Sequence, residues 1–354
     1  MSNLKLSIII PVFNGEQFIE SCLTSIFQVS IPVSFEVLVI DDGSTDHTWV
    51  IANKFACKCK KIEKSGVASA RNVGIAEASG EVLLFFDADT LLTDNTVSAF
   101  LEVFNSEEDV FIAQGKWAQD FPSANFNTTF HLNKWSYNFQ KLLAGRKRVA
   151  VAELMTGCLG VRKEVFEKIG GFNENYKRSG GEEWELGFRA VQYGYKIYYY
   201  DSISVHHNFG SFLSTVKKTY FRTINFAMLI FDAGNQKYEL LNKIKNSVPN
   251  RDKYNMVFVS LVVVMLFLGL TSVGSTLSFF KGYHAHSFVL LSLFFLCLYL
   301  YNVKGFLYYQ YGREGVLFTL RGLSADFMIV AQKVLATLSA LFIYYVLRKP
   351  KFKI

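Results

Sequence analysis

Three almost wholly apolar runs, residues 6–10 (LSIII), 35–40 (FEVLVI) and 82–86 (VLLFF), each bounded by turn residues, limit what this chain can fold into. A strand that is apolar at nearly every position, rather than at every second one, is covered on both faces. Between the first two runs lies a helical stripe, Phe18, Ile19, Cys22, Leu23, Ile26 and Phe27, with Asn14 and Gln17 before it as a capping pair. Further helices are expected over 45–55 and 67–78. Strand and helix alternating in this order imply an α/β fold with a parallel, doubly wound sheet.

Ligands of such sheets gather outside the carboxyl ends of the strands. Here the runs end in PVFNGE, in Asp41-Asp42-Gly43-Ser44 and in Asp87-Ala88-Asp89-Thr90. None is a GxGxxG or a P-loop, so the phosphate cradles of dinucleotide enzymes and nucleoside triphosphatases are excluded. Asp87 and Asp89, two apart at a strand end, share one side of the pleat. That arrangement suits a hard ion such as Mg²⁺ or Mn²⁺ held jointly with phosphate oxygens, and it equally suits a plain turn.

After Asp89 the pattern is less regular. Residues 121–150 are aromatic and basic without a clear period, 154–161 is expected as a strand, and 163–169 as a short helix stopped by Gly170-Gly171. A helix over 182–193 begins Glu182-Glu183-Trp184-Glu185 after Gly180-Gly181. Acids in a first turn complement the helix dipole, and a carboxylate presented there can also act as a general base. His206 and His207 follow a last strand, 197–200, either as plain strand-end histidines or as a third metal ligand.

The charge is unevenly placed. From Met256 onward there are nine Lys or Arg and two acids, so the first 255 residues hold 28 of each sign and are neutral, and the tail carries the whole +7. A nucleic-acid-binding surface is excluded by that distribution. Residues 256–280 are free of charge and span about 37 Å as a helix, enough for a bilayer core of roughly 30 Å. Residues 284–303 are a second apolar segment, and 327–347, interrupted by Lys333, a third. The expected division is a catalytic domain over 1–235, a basic juxtamembrane linker over 236–255 and a membrane domain over 256–354. Five scattered cysteines argue against a disulfide framework, and Cys57 and Cys59 are too close together for a tetrahedral zinc site. The apolar run before Pro11 is too short for a signal peptide.

The ordered segments SIIIPVFN, VLVIDDGSTD, GVASARNVGI, VLLFFDADT, TGCLGVRKEVFEKIGGFNE and GGEEWELGFRA resemble glycosyltransferase family 2, inverting enzymes of the Rossmann-like GT-A fold, from Leu6 to His207. The resemblance implies a UDP-, GDP- or dTDP-sugar donor and a Mn²⁺ or Mg²⁺ cofactor. Carried over by position, Pro11 and Phe13 line the base and ribose pocket, Asp41 bonds the nucleobase and Arg71 helps hold the nucleotide pocket together. Asp87 touches ribose or metal, and Asp89 binds the metal. Glu182-Glu183 stands where the family usually has Glu-Asp, which makes Glu183 the base and gives it one more methylene of reach. Of the two histidines, His206 is the favoured metal ligand.

These roles imply inverting transfer of a sugar to a hydroxyl acceptor, in surface polysaccharide or lipid-linked glycan synthesis. The catalytic domain would face the cytoplasm beneath a multi-pass cell-membrane anchor. Two alternatives stand beside this one: a polyprenyl-phosphate sugar synthase, and a non-catalytic nucleotide-binding membrane scaffold. A processive synthase is disfavoured, because Tyr220-Phe221-Arg222-Thr223 keeps only the Arg of a QxxRW motif. The stretch 121–150 offers an approach for a lipid-linked acceptor, with Arg146, Lys147 and Arg148 placed to meet a diphosphate or anionic headgroups.

Overall fold

Side chains along β1 (Leu6–Val12) alternate between two buried clusters, Ile8 and Ile10 in one and Ile9 in the other. A strand with both faces buried needs neighbours on both edges and helices above and below. β1 lies between β2 (Phe35–Asp41) and β4 (Val82–Phe85), parallel to each, and β2 pairs in parallel with β3 (Lys58–Lys61). The expected doubly wound half is therefore present. The computed structural model describes residues 5–121, 125–176, 180–232 and 283–343.

Beyond β4 the sheet becomes mixed. β4 is antiparallel to β8 (Leu159–Arg162), and β8 is antiparallel to β6 (Ile112–Trp117). β6 is parallel to β9 (Ile197–His207), which is itself antiparallel to β5 (Thr90–Leu92) and β7 (Arg148–Val151). Helices α1 (Ile19–Gln28), α2 (Thr48–Ala52) and α4 (Thr96–Ser106) feed one cluster. The other receives α3 (Val67–Glu77), α6 (Lys163–Ile169) and α7 (Glu182–Gln192).

Three local expectations differ from the structure. Asn14 does not cap α1; it takes a left-handed conformation, φ 48°, and its side chain accepts from Thr45 N at 2.9 Å, tying the ends of β1 and β2 together. The expected strand 154–161 enters the sheet only from Leu159, in Leu159–Arg162, because Thr156–Cys158 forms a 3₁₀ turn. Residues 126–143, which show no period in the sequence, form α5 (Phe126–Leu143), started by Asn125 accepting from Thr128 N at 2.9 Å. Its Leu132 is buried in one cluster and its Phe139 and Leu143 in the other. A helix that serves both faces of a sheet has no single apolar stripe.

After α8 (Phe212–Asp232), the described chain resumes in α9 (Tyr283–Leu341). The described residues fall into two units, and α9 belongs to the second. Its backbone is broken at Gly315, with φ 82° and ψ −178°, a conformation open to glycine. The two halves fold back on each other, since Tyr299 OH donates to Asp326 Oδ2 at 2.8 Å. A straight helix would separate those residues by about 40 Å. Tyr299, Val303 and Val330 are buried between the halves. The residues between the apolar segments 284–303 and 327–347 are helical on both sides of Gly315. Leu293–Ala340 is long and apolar enough to cross a membrane. The segment expected over 256–280, the linker 236–255 and the basic residues from Arg348 on lie outside the described residues.

Glu36 fastens the amino-terminal edge of the sheet. It accepts from Ser7 Oγ at 2.7 Å on β1, from Ser79 N at 2.7 Å before β4, and from Lys58 Nζ at 2.6 Å on β3. Although burial works against its charge, the bonds from Lys58, Ser79 and Ser7 bring its pKa down to about 2. A depressed carboxyl stabilises the fold above its unfolded pKa and loses that contribution as pH falls through the folded value. Glu36→Gln should therefore lower the denaturation midpoint at neutral pH, and the gap to wild type should close between about pH 4.5 and pH 2. Denaturant titrations across that range check it.

Candidate active site

Register brings the polar strand ends together. Val12 pairs with Asp41 and Ile9 with Phe85, so the ends of β1, β2 and β4 open on one edge of the sheet. At the end of β2 the two adjacent aspartates do different work. Asp42, 3% exposed, accepts from Ser65 N, Gly66 N and Lys64 Nζ, and so closes the loop into α3. Asp41, 1% exposed, accepts from Ser44 N at 2.7 Å through Oδ1. Its Oδ2 is buried without a hydrogen-bond partner among the described residues, and Lys61 Nζ stands 3.9 Å away. A buried acceptor left open in this way is suited to a donor brought by a ligand. Pro11 is buried in β1 near this end, and Phe13 just beyond it is 44% exposed with Lys64 Nζ over its ring.

Arg71 on α3 is the centre of the site's electrostatics. It is 2% exposed; Nη1 donates to Glu182 Oε1 at 3.0 Å and Nη2 to Asp87 Oδ1 at 3.1 Å. Burial opposes its charge, yet Asp87, Glu182 and Glu183 outweigh that and raise its pKa above the ordinary value. The guanidinium also lies 5.3 Å from the Phe172 ring centroid.

The two glutamates at the start of α7 are separated in role by their partners. Glu182, fully buried, uses Oε1 for Arg71 and Oε2 for Gly180 N at 2.7 Å. Gly180 and Gly181 have φ of 103° and 123°, which lets the chain double back on that carboxylate. Glu183 is 7% exposed and accepts from Thr156 Oγ1 at 3.2 Å.

Asp87 and Asp89 are not on a strand end, since Thr90 N donates to Asp87 O at 3.0 Å across a turn. The turn still converges them with His207, and ligand atoms of the three lie within 4.8 Å of one another. His207 Nε2 is 3.4 Å from Asp89 Oδ1, and its ring packs against Trp117 and Phe209, each at 4.5 Å between centroids. His206, favoured from the sequence, faces elsewhere: its Nε2 is 2.9 Å from Asp120 Oδ1, and that bond holds Asp120 below the usual carboxylate range. β9 pairs with β5 so that His207 meets Thr90 and His206 meets Leu91, and successive strand residues point to opposite faces.

Two members of the basic triplet are engaged within the fold. Arg146 donates from Nε to Leu143 O and from Nη2 to Leu142 O, closing the end of α5. Arg148 pairs with Glu107 and donates to Tyr200 OH at 2.9 Å. Three participants escaped sequence reasoning. Thr156 touches Glu183, Gly157 leaves room for Asp87 and for Trp117, and Lys64 covers Phe13. Only the TGCLG segment, already part of the family pattern, carried a signal for any of them.

The fold and the site together combine an open polar sheet edge, a carboxylate–histidine cluster and a buried carboxylate at a helix start. Residues 7–170 match the glycosyl transferase family 2 domain, and residues 142–218 the domain described as the N-terminal domain of galactosyltransferase. Over residues 7–170 the chain is similar to glycosyltransferase family 2, and its sheet is that of the GT-A fold. It is 32% identical over 136 residues to poly(ribitol-phosphate) beta-N-acetylglucosaminyltransferase TarS of Staphylococcus aureus, covering 36% of this chain and 24% of that protein. It is 27% identical over 209 residues to glycosyltransferase AglE of Haloferax volcanii, covering 57% and 66%. The alignments thus span between a quarter and two thirds of these relatives' lengths. The structure of mannosyltransferase PcManGT from Pyrobaculum calidifontis, in complex with GDP-Man and Mn²⁺, shares the fold, with a TM-score of 0.55 at 16% identity over 97% of this chain and 87% of that one.

Replacing Arg71 by Met leaves Glu182 buried opposite no cation. Breaking a buried pair from one side costs about 3–5 kcal/mol. Arg71→Met should lower the thermal midpoint of the full chain sharply, and calorimetry would measure it.

Proposed function

We propose that the chain is a metal-dependent, inverting glycosyltransferase that moves a sugar from a nucleotide-diphosphate donor to a hydroxyl acceptor in surface-polysaccharide or lipid-linked glycan synthesis. The observation that carries this reading is the convergence of Asp87, Asp89 and His207 on the sheet edge that also bears the open Asp41 oxygen. Two carboxylates and an imidazole suit Mn²⁺ or Mg²⁺, with Mn²⁺ the better fit to a nitrogen donor. Such an ion supplies positive charge to the departing diphosphate. Asp41 receives a nucleobase N–H, Pro11 and Phe13 line the base and ribose pocket, and Arg71 fixes Asp87 beneath the ribose or metal.

Glu183 takes the acceptor's proton as the hydroxyl attacks the anomeric carbon from the face opposite the nucleotide, so configuration inverts. Glu182, with both oxygens engaged, holds Arg71 and does no proton transfer. A polyprenyl-phosphate acceptor is supported by 29% identity over 181 residues to dolichol-phosphate mannosyltransferase of Pyrococcus furiosus. An ionised phosphate needs no base, however, and the placing of Glu183 favours a hydroxyl. The apolar part of the chain, residues 256–354, anchors the enzyme at the cell membrane, with the catalytic domain on the cytoplasmic side as the basic residues around the segments favour.

Nucleoside diphosphate release from a panel of UDP-, GDP- and dTDP-sugars, measured with membranes containing the full chain, tests the reading. Glu183→Gln should lower turnover by about 10²–10⁴-fold while leaving donor binding intact. Asp89→Ala, or chelation with EDTA, should weaken donor binding as well as turnover. Full turnover by Glu183→Gln would remove it from the role of base.

A further inference from the structure

The segment from Ala152 to Cys158 runs through the site and is held there from three sides. On β6, Gln114 is fully buried; its Nε2 donates to Glu153 O at 2.9 Å and its Oε1 accepts from Met155 N at 2.8 Å. A carboxamide that closes two bonds to one extended segment fixes it along its length and in rotation. On α7, Gly187 has no side chain where a Cβ would lie 2.8 Å from Ala152 O, so helix and segment approach more closely than any other residue would allow. At Gly157 a Cβ would stand 2.5 Å from the Trp117 ring and 3.2 Å from Asp87 Oδ2. The turn Thr156–Cys158 therefore lies between Glu183 at the start of α7 and Asp87 of the carboxylate–histidine cluster.

Thr156 is the point where this segment meets the carboxylate. It is 2% exposed, and its hydroxyl donates to Glu183 Oε2 at 3.2 Å. A base must lie within hydrogen-bond reach of the proton it takes, and a hydrogen bond to one of its oxygens orients the carboxylate. A displacement of about 1 Å at a reacting group can cost roughly a hundredfold in rate. The glycine next in sequence keeps Asp87 in contact with the same turn. One short turn thus sets where the base sits relative to the carboxylates that bind the donor.

We propose that Thr156 is a positioning residue for Glu183, and that the Thr156–Cys158 turn, clamped by Gln114, is the strut between the base and the donor-binding carboxylates. The inference rests on the reading of Glu183 as the acceptor base.

The test uses the full chain in membranes with Mn²⁺ and the nucleotide sugar that the wild type turns over, following release of nucleoside diphosphate. Thr156→Val keeps the shape and removes the hydroxyl. It should lower kcat roughly ten- to hundredfold with the donor KM unchanged. Thr156→Ser, which keeps the donor, should hold most of the wild-type rate. Thermal midpoints and binding of the free nucleoside diphosphate would show both variants folded. If the Val variant does not fold, Thr156→Cys, with only a weak donor at nearly the same volume, should show the same selective loss of kcat. Wild-type kcat in the Val or Cys variant overturns the proposal, as does a loss shared equally by Thr156→Ser. If the wild-type chain turns over no donor in the panel, the reading of the site falls and this inference with it.

Discussion

A single buried cation organises the polar end of this sheet. Arg71 comes from α3, Asp87 from the turn after β4 and Glu182 from the start of α7, and the guanidinium bonds both carboxylates with the Phe172 ring centroid 5.3 Å away. Asp87, Glu182 and Glu183, brought this close in a low-dielectric interior, would repel one another. Arg71 supplies the opposing charge, and because its fork is planar with several donors, lysine could not serve both partners in the same way. The cost of burying it is met by geometry, with two directed bonds and the additional field of Glu183.

That pairing also separates neighbours that look equivalent in the chain. Glu182 and Glu183 are adjacent, yet one is consumed by Arg71 and Gly180 and the other is turned toward Thr156. Asp41 and Asp42 divide in the same way, Asp42 closing backbone donors around Gly66 and Asp41 keeping one buried oxygen open. His206 and His207 are parted by the alternation of a strand. In each pair one member maintains the framework that aims the other. A doublet of acids or histidines carries two jobs, and only the backbone direction assigns them.

The second unit follows a different physical rule. Its long apolar helix reverses at Gly315 and packs Tyr299, Val303 and Val330 between its halves, while Leu317, Tyr308 and Leu320 stay largely exposed. Apolar side chains left outward on a helix whose inner face is already filled fit a surrounding that is itself apolar. The polar contact inside, Tyr299 to Asp326, gives that buried carboxylate a hydrogen-bond donor.

The parallel core could be read in the chain because each of its strands is apolar at nearly every position and its helices carry one stripe each. Asp41, Asp87 and Asp89 could be read because they stand at or just after the ends of those strands. α5 could not, because Leu132 and Phe139 point into different clusters and no stripe results. Nor could the shares of Arg146 and Arg148, which end in helix closure and an ion pair. Local sequence determined which residues stand at the sheet edge, since strand ends are set by short-range patterns. Tertiary structure alone decided which of them face each other, because Arg71, Glu182, Asp87 and His207 come from segments far apart in the chain and meet only through sheet register and helix packing.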